Sequence, residues 1–148
     1  MPTNDNQLKR LQDAIVDRLK DDATIGGLPI HGETKGDLGS EIDIALDSMG
    51  IVLVVQTVKA GISNPNLSKP VFDSITFTVE VSENVMLNKR ITALDAAVAV
   101  VESLHHYRAE GVPLFENKMI NPAANTLTPY TFDGNNGYYV NFTIGNAG

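Results

Sequence analysis

At 148 residues, with 43% apolar and 20% charged side chains, the chain has the size and composition of one folded domain and not those of a disordered or fibrous protein. Eighteen acidic and eleven basic side chains give a net charge of -7, and the scattered lysines and arginines argue against direct nucleic-acid binding. The absence of cysteine excludes a disulfide framework, a thiol nucleophile and a thiolate metal site. We expect a single domain over 1–148, with no signal peptide and no membrane association.

The first predicted element is an amphipathic helix in DNQLKRLQDAIVDRLKDD. Leu8, Leu11, Ile15 and Leu19 recur at helical spacing and share one face. In the following TIGGLPIHGE, residues 28–33 fit either a short strand or an extended loop. The overlapping stretch GGLPIHGETKG is rich in glycine and contains a lysine, but it lacks the preceding strand and the immediately following helix of a phosphate-binding loop, so a mobile loop is the favoured interpretation over a phosphate site.

A second, short helix is predicted in DLGSEIDIALDSMG, where apolar residues recur at helical spacing from Leu38 to Met49. Ser40 and Asp43 resemble a capping pair, and Gly50 suits the left-handed position that ends a helix. The β-branched run IVLVVQTV, residues 51–58, then predicts a central strand.

A long loop and a second strand follow. The loop GISNPNLSKP, residues 61–70, is rich in turn formers. In VFDSITFTVEVSEN, apolar residues at 75, 77, 79 and 81 alternate with Thr76, Thr78, Glu80 and Ser82, which predicts a strand with one face in the core and one facing water or a partner. This strand, 71–83, should pair with 51–58. Glu80 and Glu83 point to opposite faces, so they do not form a pair of catalytic acids.

A third helix is predicted in TALDAAVAVVESLHHYRAEG, with Thr92 and Asp95 at its start and Gly111 at its end. Leu94, Val98, Val101 and His105 form its predicted buried stripe. His106 falls near Glu102 on the polar side, so the two histidines cannot bind one metal together. We interpret His105 as a core or interface histidine, and His106 with Glu102 as an exposed pair on the last turn of the helix in preference to a metal site.

The C-terminal part of the sequence is predicted to form an irregular segment, 112–126, followed by a closing β-hairpin whose turn spans 133–137. The fold class that we predict is α+β, with a largely antiparallel sheet of about four to five strands packed on one face by two main helices, the first and the third. No motif of a hydrolase elbow, a phosphate loop or a dinucleotide-binding turn occurs. We therefore expect no enzymatic activity, no catalytic residue, no cofactor and no metal.

Two stretches resemble a known family. GDLGSEIDIALDSMGIVLVV has a pattern E-I-x-x-A-L-x-x-x-G that runs directly into an apolar strand. NPNLSKPVFDSITFTVEVSENVMLNK has a proline-rich loop, a D-x-I strand and an ending E-N-V-x-x-N. Both resemble small phage minor tail proteins of the tail-completion or tail-terminator kind, and the likeness covers residues 37–107.

This resemblance implies a structural virion protein that forms an oligomeric ring at the end of the tail tube, at the head–tail junction. Its partners would be other copies of itself and the tail-tube and head-completion proteins, and its location the virion tail, after assembly in the bacterial cytoplasm. A head-to-tail joining (neck) protein is one alternative. A small α+β ligand-binding or enzymatic domain is another.

Subunit contacts are expected on the polar face of the predicted 71–83 strand and in the two loops. The candidate interface residues are Ile62, Leu67, Thr76, Thr78, Glu80, Leu114 and Phe115. Apolar loop residues are costly to leave in water and useful in a subunit contact. For the loop 112–126, folding back onto the chain's own core is an open alternative.

Overall fold

The computed structural model describes residues 7–33, 38–56, 58–61, 74–109, 112, 115, 118–132 and 135–146. Its helices are α1 (Gln7–Lys20), α2 (Leu38–Ser48) and α3 (Ala93–Leu104). Its strands are β1 (Ile30–Gly32), β2 (Ile51–Val55), β3 (Lys59–Gly61), β4 (Ser74–Glu83), β5 (Lys118–Phe132) and β6 (Asn135–Asn146). The mixed α and β content predicted from the sequence is confirmed.

The strands form one sheet in the order β1-β2-β4-β6-β5, with β3 also paired to β4. The β1–β2 pair is parallel and every other pair is antiparallel, so the sheet is largely antiparallel as predicted. The predicted pairing of 51–58 with 71–83 is confirmed, because Leu53 of β2 is paired with Val81 of β4. The strand predicted over 51–58 ends at Val55, and the separate strand β3 pairs with the N-terminal end of β4.

The sheet has six strands and not the predicted four to five. The strand that was not predicted is the short β3, which lies just after the predicted 51–58 strand. Residues 118–126, which were predicted to be irregular, instead lengthen β5, the first strand of the closing hairpin. A register shift between Pro122 and Leu127 interrupts the pairing of β5 with β6. Such a bulge breaks the two-residue alternation by which a strand is recognised in a sequence.

Buried side chains divide between the two faces of the sheet. The larger cluster joins α1 and α3 to residues such as Leu53, Val81 and Val140. At its centre, the rings of Phe77 and Phe142 stack with their centroids 5.0 Å apart. The smaller cluster contains Ala45, Val52 and Val54 and lies on the opposite face, because side chains alternate along β2. The central strand is therefore covered on both faces, as its β-branched run indicates.

The orientation of α3 differs from the prediction. Leu94 and Val98 are exposed, Val101 is only partly buried and His105 is exposed, so the predicted buried stripe is wrong. The buried face consists mainly of small residues, together with two larger ones: Ala93, Ala96, Ala97, Ala99, Val100, Ser103 and Leu104. The first turns of this helix are apolar nearly all round, and periodicity alone does not choose between such faces. Small side chains allow the helix backbone to approach the sheet closely.

The helix α3 also ends earlier than predicted, at Leu104 and not at Gly111. His106 has a positive φ of 62°, which turns the chain. Its backbone N–H then donates to the carbonyl of Ile120, while the N–H of Ile120 donates to the carbonyl of Tyr107. The histidine stretch therefore ends a helix and covers part of the outer edge of β5.

The junction between α2 and β2 depends on Gly50. Its φ of 76° confirms the predicted left-handed end of the helix. A Cβ at this position would lie 2.4 Å from the backbone nitrogen of Asn88, so glycine also permits close contact with the segment after β4. Ser40 is not the start of α2, since the helix already begins at Leu38.

Candidate functional site

The polar face of β4 is the first candidate surface. Thr76 is exposed, and Thr78, Glu80 and Ser82 are partly buried, all on the face away from the larger core cluster. The Thr78 hydroxyl donates to the side-chain oxygen of Asn141 on β6 over 2.8 Å. The predicted orientation of the polar β4 side chains is confirmed, and part of this face is already engaged within the chain.

Helix α2 packs against one side of this face, whereas the sequence analysis placed only the first and third helices against the sheet. Val52 and Val54 lie beside Ser82 and Glu80 in the register of β2 and β4. Because residues directly opposite in a sheet share a face, Ala45 of α2 packs above the same face that carries Glu80. Helix α2 therefore covers part of this sheet face.

A cavity of about 570 Å³, here named the α2 groove, lies between α2 and the sheet. Its helix wall includes Ile42, Asp43 and Leu46. Its sheet floor includes Glu80, Ser82, Tyr130 and Tyr139. The volume lies within the range of roughly 300–1,000 Å³ that small-molecule sites occupy, and the lining combines apolar walls with a few convergent polar groups.

The carboxylate of Glu80 is held in a fixed position on the groove floor. The Tyr130 hydroxyl donates to Oε2 over 2.7 Å, and the Ser82 hydroxyl donates to the same oxygen over 3.3 Å. The side-chain amide of Gln56 donates to Oε1 over 3.3 Å. The Ser82 hydroxyl also lies within bonding distance of the Tyr130 hydroxyl, and since a hydroxyl has one proton, Ser82 donates either to the carboxylate or to the phenol oxygen at any one time. Charge-assisted bonds of this kind orient the carboxylate before any partner arrives.

Tyr130 is also the strongly perturbed titratable group of this site. Burial raises the pKa of Tyr130 well above its ordinary value, and the neighbouring Glu80 carboxylate raises the pKa further, although the bond to Ser82 opposes these effects. Its ring stacks on that of Tyr139, with centroids 4.5 Å apart. Tyr130 is therefore a neutral hydrogen-bond donor at physiological pH, and the groove floor is partly aromatic.

A second groove of about 310 Å³ lies farther along the same face, near Lys59, Thr76 and Asn141. The Asn141 side chain donates to the carbonyl of Asn125 over 2.9 Å, which ties β6 to the bulged part of β5. Among its described lining residues there is no carboxylate, so this groove and the α2 groove differ in charge.

The turn after β4 exposes three consecutive apolar side chains. Val85, Met86 and Leu87, here named the apolar turn, are 50%, 86% and 45% exposed. Leu94 and Val98 are also exposed, and they lie one helical turn apart on α3. Most of the exposed large apolar residues of the described chain therefore fall within a single short stretch, 85–98.

Polar residues on either side hold the apolar turn in place. The Asn84 side chain accepts from the backbone N–H of Met86, and the backbone N–H of Asn84 donates to the Gly50 carbonyl over 2.8 Å. The Asn88 side chain donates to the Glu83 carboxylate and to the Ile91 carbonyl. These bonds hold both ends of the turn, so the backbone that carries its apolar side chains has a defined conformation.

The Glu83 carboxylate is buried at 8% exposure and connects this turn to α3. It accepts from the Asn88 side chain and from the backbone N–H of Ala93, the first residue of the helix. A carboxylate is favourable at this position because the first N–H groups of a helix have no partner within the helix. Glu83 and Glu80 thus have separate structural roles on opposite faces, as predicted.

The predicted interface residues have different outcomes. Ile62, Leu67 and Leu114 lie outside the described residues. Phe115 is 1% exposed and packs in the larger core cluster, so its ring is unavailable as a surface contact of this chain. This corrects the expectation for Phe115 and agrees with the alternative that its segment folds back onto the core. Burial of a large aromatic ring in the core is favourable enough to draw in such a segment.

His105 and His106 are both exposed, and their rings stack with centroids 3.7 Å apart. His105 was predicted to be a core or interface histidine, and its exposure at the residue that ends α3 excludes the core position. Within the described part of the chain, no group of three or more histidine or carboxylate side chains is arranged to hold a metal ion.

Sequence reasoning missed Tyr130 and Tyr139 as site residues. They meet Glu80 because β6 lies between β4 and β5 in the sheet, an order that the sequence does not encode locally. The available signal was the alternation in YYVNFTIG, which places Tyr139 on the strand face opposite to that of Tyr138 and Val140.

Comparison with known proteins does not identify a family: the chain matches no protein-family model, no curated protein and no solved structure. In the described segments, no helix has both the length and the apolar character needed to cross a membrane.

Proposed function

We propose that the chain is a structural subunit of a phage or prophage tail, which assembles with copies of itself into a ring that completes or terminates the tail tube. The observation that carries this proposal is the apolar turn. Exposed apolar side chains on a rigid support favour burial against a partner, because their removal from water is worth about 25 cal/mol per Å².

The apolar turn coincides with one of the stretches on which the family resemblance depends. In the ending E-N-V-x-x-N, residues 83–88, the three polar residues make the hydrogen bonds that hold the turn. The intervening Val85, Met86 and Leu87 are the exposed ones. In this chain the polar residues of the pattern therefore hold three apolar side chains exposed at a fixed position, which is an arrangement suited to a contact between subunits.

Ring assembly is tested by replacing Met86, the most exposed of these residues, with serine. The wild-type chain should form closed rings, visible by electron microscopy and native mass spectrometry, either alone or on addition of tail tubes. Met86→Ser should weaken assembly by about tenfold or more, because a large apolar side chain is lost from the contact.

The matched control is Lys89→Ser, which changes an exposed side chain in the same segment without removing apolar surface. It should assemble like the wild type. Melting temperatures of both variants should equal that of the wild type, since neither side chain is buried. Rings formed equally well by Met86→Ser would exclude the apolar turn as the contact.

The α2 groove favours a second candidate function, that of a ligand-binding domain. Its volume and its oriented carboxylate and phenol are features of small-molecule sites. Saturable binding of a small organic ligand at micromolar concentration, with no self-assembly under any condition, would favour this function over a tail subunit.

A further inference from the structure

We propose that the α2 groove binds the cationic end of an arginine or lysine side chain carried by a partner protein. This names the chemistry of a partner at the face that carries Glu80, and it rests on the proposed assembly function. The proposal depends on three features of the groove: its charge, the fixed geometry of its carboxylate, and its apolar and aromatic walls.

The charge of the groove is negative. Glu80 lies on the floor and Asp43 on the helix wall, and no basic residue is among the described residues that line the cavity. Within the described chain, no hydrogen bond or ion pair occupies the Asp43 carboxylate. A positive group entering the groove would therefore meet two carboxylates and no competing cation, which is the complementarity that steers charged partners.

The geometry of Glu80 leaves room for a further donor. Its carboxylate has about four lone-pair sites, and the donors within the chain are Tyr130, Ser82 and Gln56. These donors hold the carboxylate in one orientation, so a guanidinium or ammonium group does not have to order it. Preorganisation of this kind reduces the entropic cost of binding.

The walls select a cation on an apolar stem over a small inorganic ion. Ile42 and Leu46 supply apolar contact along the helix side, and the stacked rings of Tyr130 and Tyr139 lie on the sheet side. The methylene stems of arginine and lysine pack on apolar surface, and their charged ends are attracted to aromatic faces. An anionic or wholly apolar partner would bring no positive charge to the Glu80 carboxylate in the contact.

The experiment titrates the isotope-labelled protein with a short peptide, acetyl-Gly-Arg-Gly-amide, and follows backbone amide shifts by NMR at low ionic strength. Saturable shifts should cluster at Glu80, Tyr130 and Tyr139. The same peptide with citrulline in place of arginine has nearly the same shape without the charge. It should bind about tenfold more weakly or worse, because the charge-assisted bond is lost.

Two groove variants and one control locate the site. Glu80→Gln and Asp43→Asn should each weaken binding of the arginine peptide, Glu80→Gln by about tenfold. Asp43 is exposed, so its variant tests the site even if Glu80→Gln disturbs folding. Asp13→Asn removes an exposed carboxylate on α1, away from the groove lining, and should bind like the wild type. Unchanged affinity in both groove variants, or no saturable shift in the wild type, overturns the proposal.

A second arm uses ethylguanidinium, which has the same cation without flanking peptide. Tighter binding of ethylguanidinium than of the peptide overturns the assignment to a partner chain, because the groove would then exclude peptide groups. The outcome is separable from that of the assembly test. Rings without peptide binding overturn only the groove assignment, whereas peptide binding without rings overturns only the proposed assembly.

Discussion

At the scale of single residues, Tyr130 is the side chain whose ionisation the fold changes most clearly. In an unfolded chain a tyrosine loses its proton near pH 10, whereas burial and the Glu80 carboxylate raise the pKa of Tyr130 in the folded chain. The stability that depends on the neutral phenol is fully present below the unfolded pKa. It is lost as the pH rises above about 10 and through the raised folded pKa.

We therefore expect the wild type to lose more thermal stability than Tyr130→Phe between pH about 9 and about 11. The phenylalanine keeps the aromatic ring but has no proton to lose. Melting temperatures across this range measure the difference. A spectroscopic titration of phenolate absorbance should also show a late-ionising tyrosine in the wild type that Tyr130→Phe lacks. Equal alkaline slopes for the two proteins would contradict the raised pKa.

The two faces of α3 provide a second prediction at this scale. Val100 is fully buried, so Val100→Asp should place an unpaired carboxylate in the core and cost about 4 kcal/mol, a large share of a domain's stability. Val98 is 40% exposed, so Val98→Asp should cost about 1 kcal/mol or less. Urea denaturation followed by circular dichroism compares them. The opposite order would show that α3 packs through the stripe predicted from the sequence.

At the scale of elements, the segments between helices and strands determine how the apolar turn is held. Gly50 ends α2 and its carbonyl accepts a hydrogen bond from the backbone N–H of Asn84, while a Cβ added to Gly50 would collide with the backbone of Asn88. One glycine therefore joins the helix–strand junction to the turn after β4. A change at this residue should disturb both segments together.

Gly50→Ala should lower the free energy of unfolding by about 2 kcal/mol, because the left-handed conformation is strained for alanine and its methyl would meet the backbone of Asn88. The control is Gly39→Ala in the same helix, where an added Cβ meets no atom within 4 Å. Alanine should be neutral there, or stabilising by about 0.5 kcal/mol. Chemical denaturation measures both. Equal effects would show that the junction tolerates a side chain.

At the scale of the whole molecule, the long edge strand β5 and the apolar turn are two different routes to self-association. Strand addition to β5 is hindered by the prolines Pro122 and Pro129, which lack a backbone donor, and by the bulge between Pro122 and Leu127. The backbone bonds of His106 and Tyr107 to Ile120 occupy part of the same edge. No residue that the structure describes obstructs the exposed side chains of the apolar turn in this way, which is why it is the proposed ring contact.

Local patterns in the sequence determined the amphipathic α1, the Gly50 helix end, the alternating β4 and its pairing with β2, because these depend on neighbouring residues and short connections. The tertiary structure decided the buried face of α3, the place of β5 in the sheet and the position of α2 over the polar face. Leu94 and Val98 face water because the alanine face of α3 fits more closely against the sheet. Likewise, Glu80 of β4 contacts Tyr130 of β5 because both strands pair with β6, in a register that brings the two side chains together across it. No local pattern in the sequence specifies these long-range pairings.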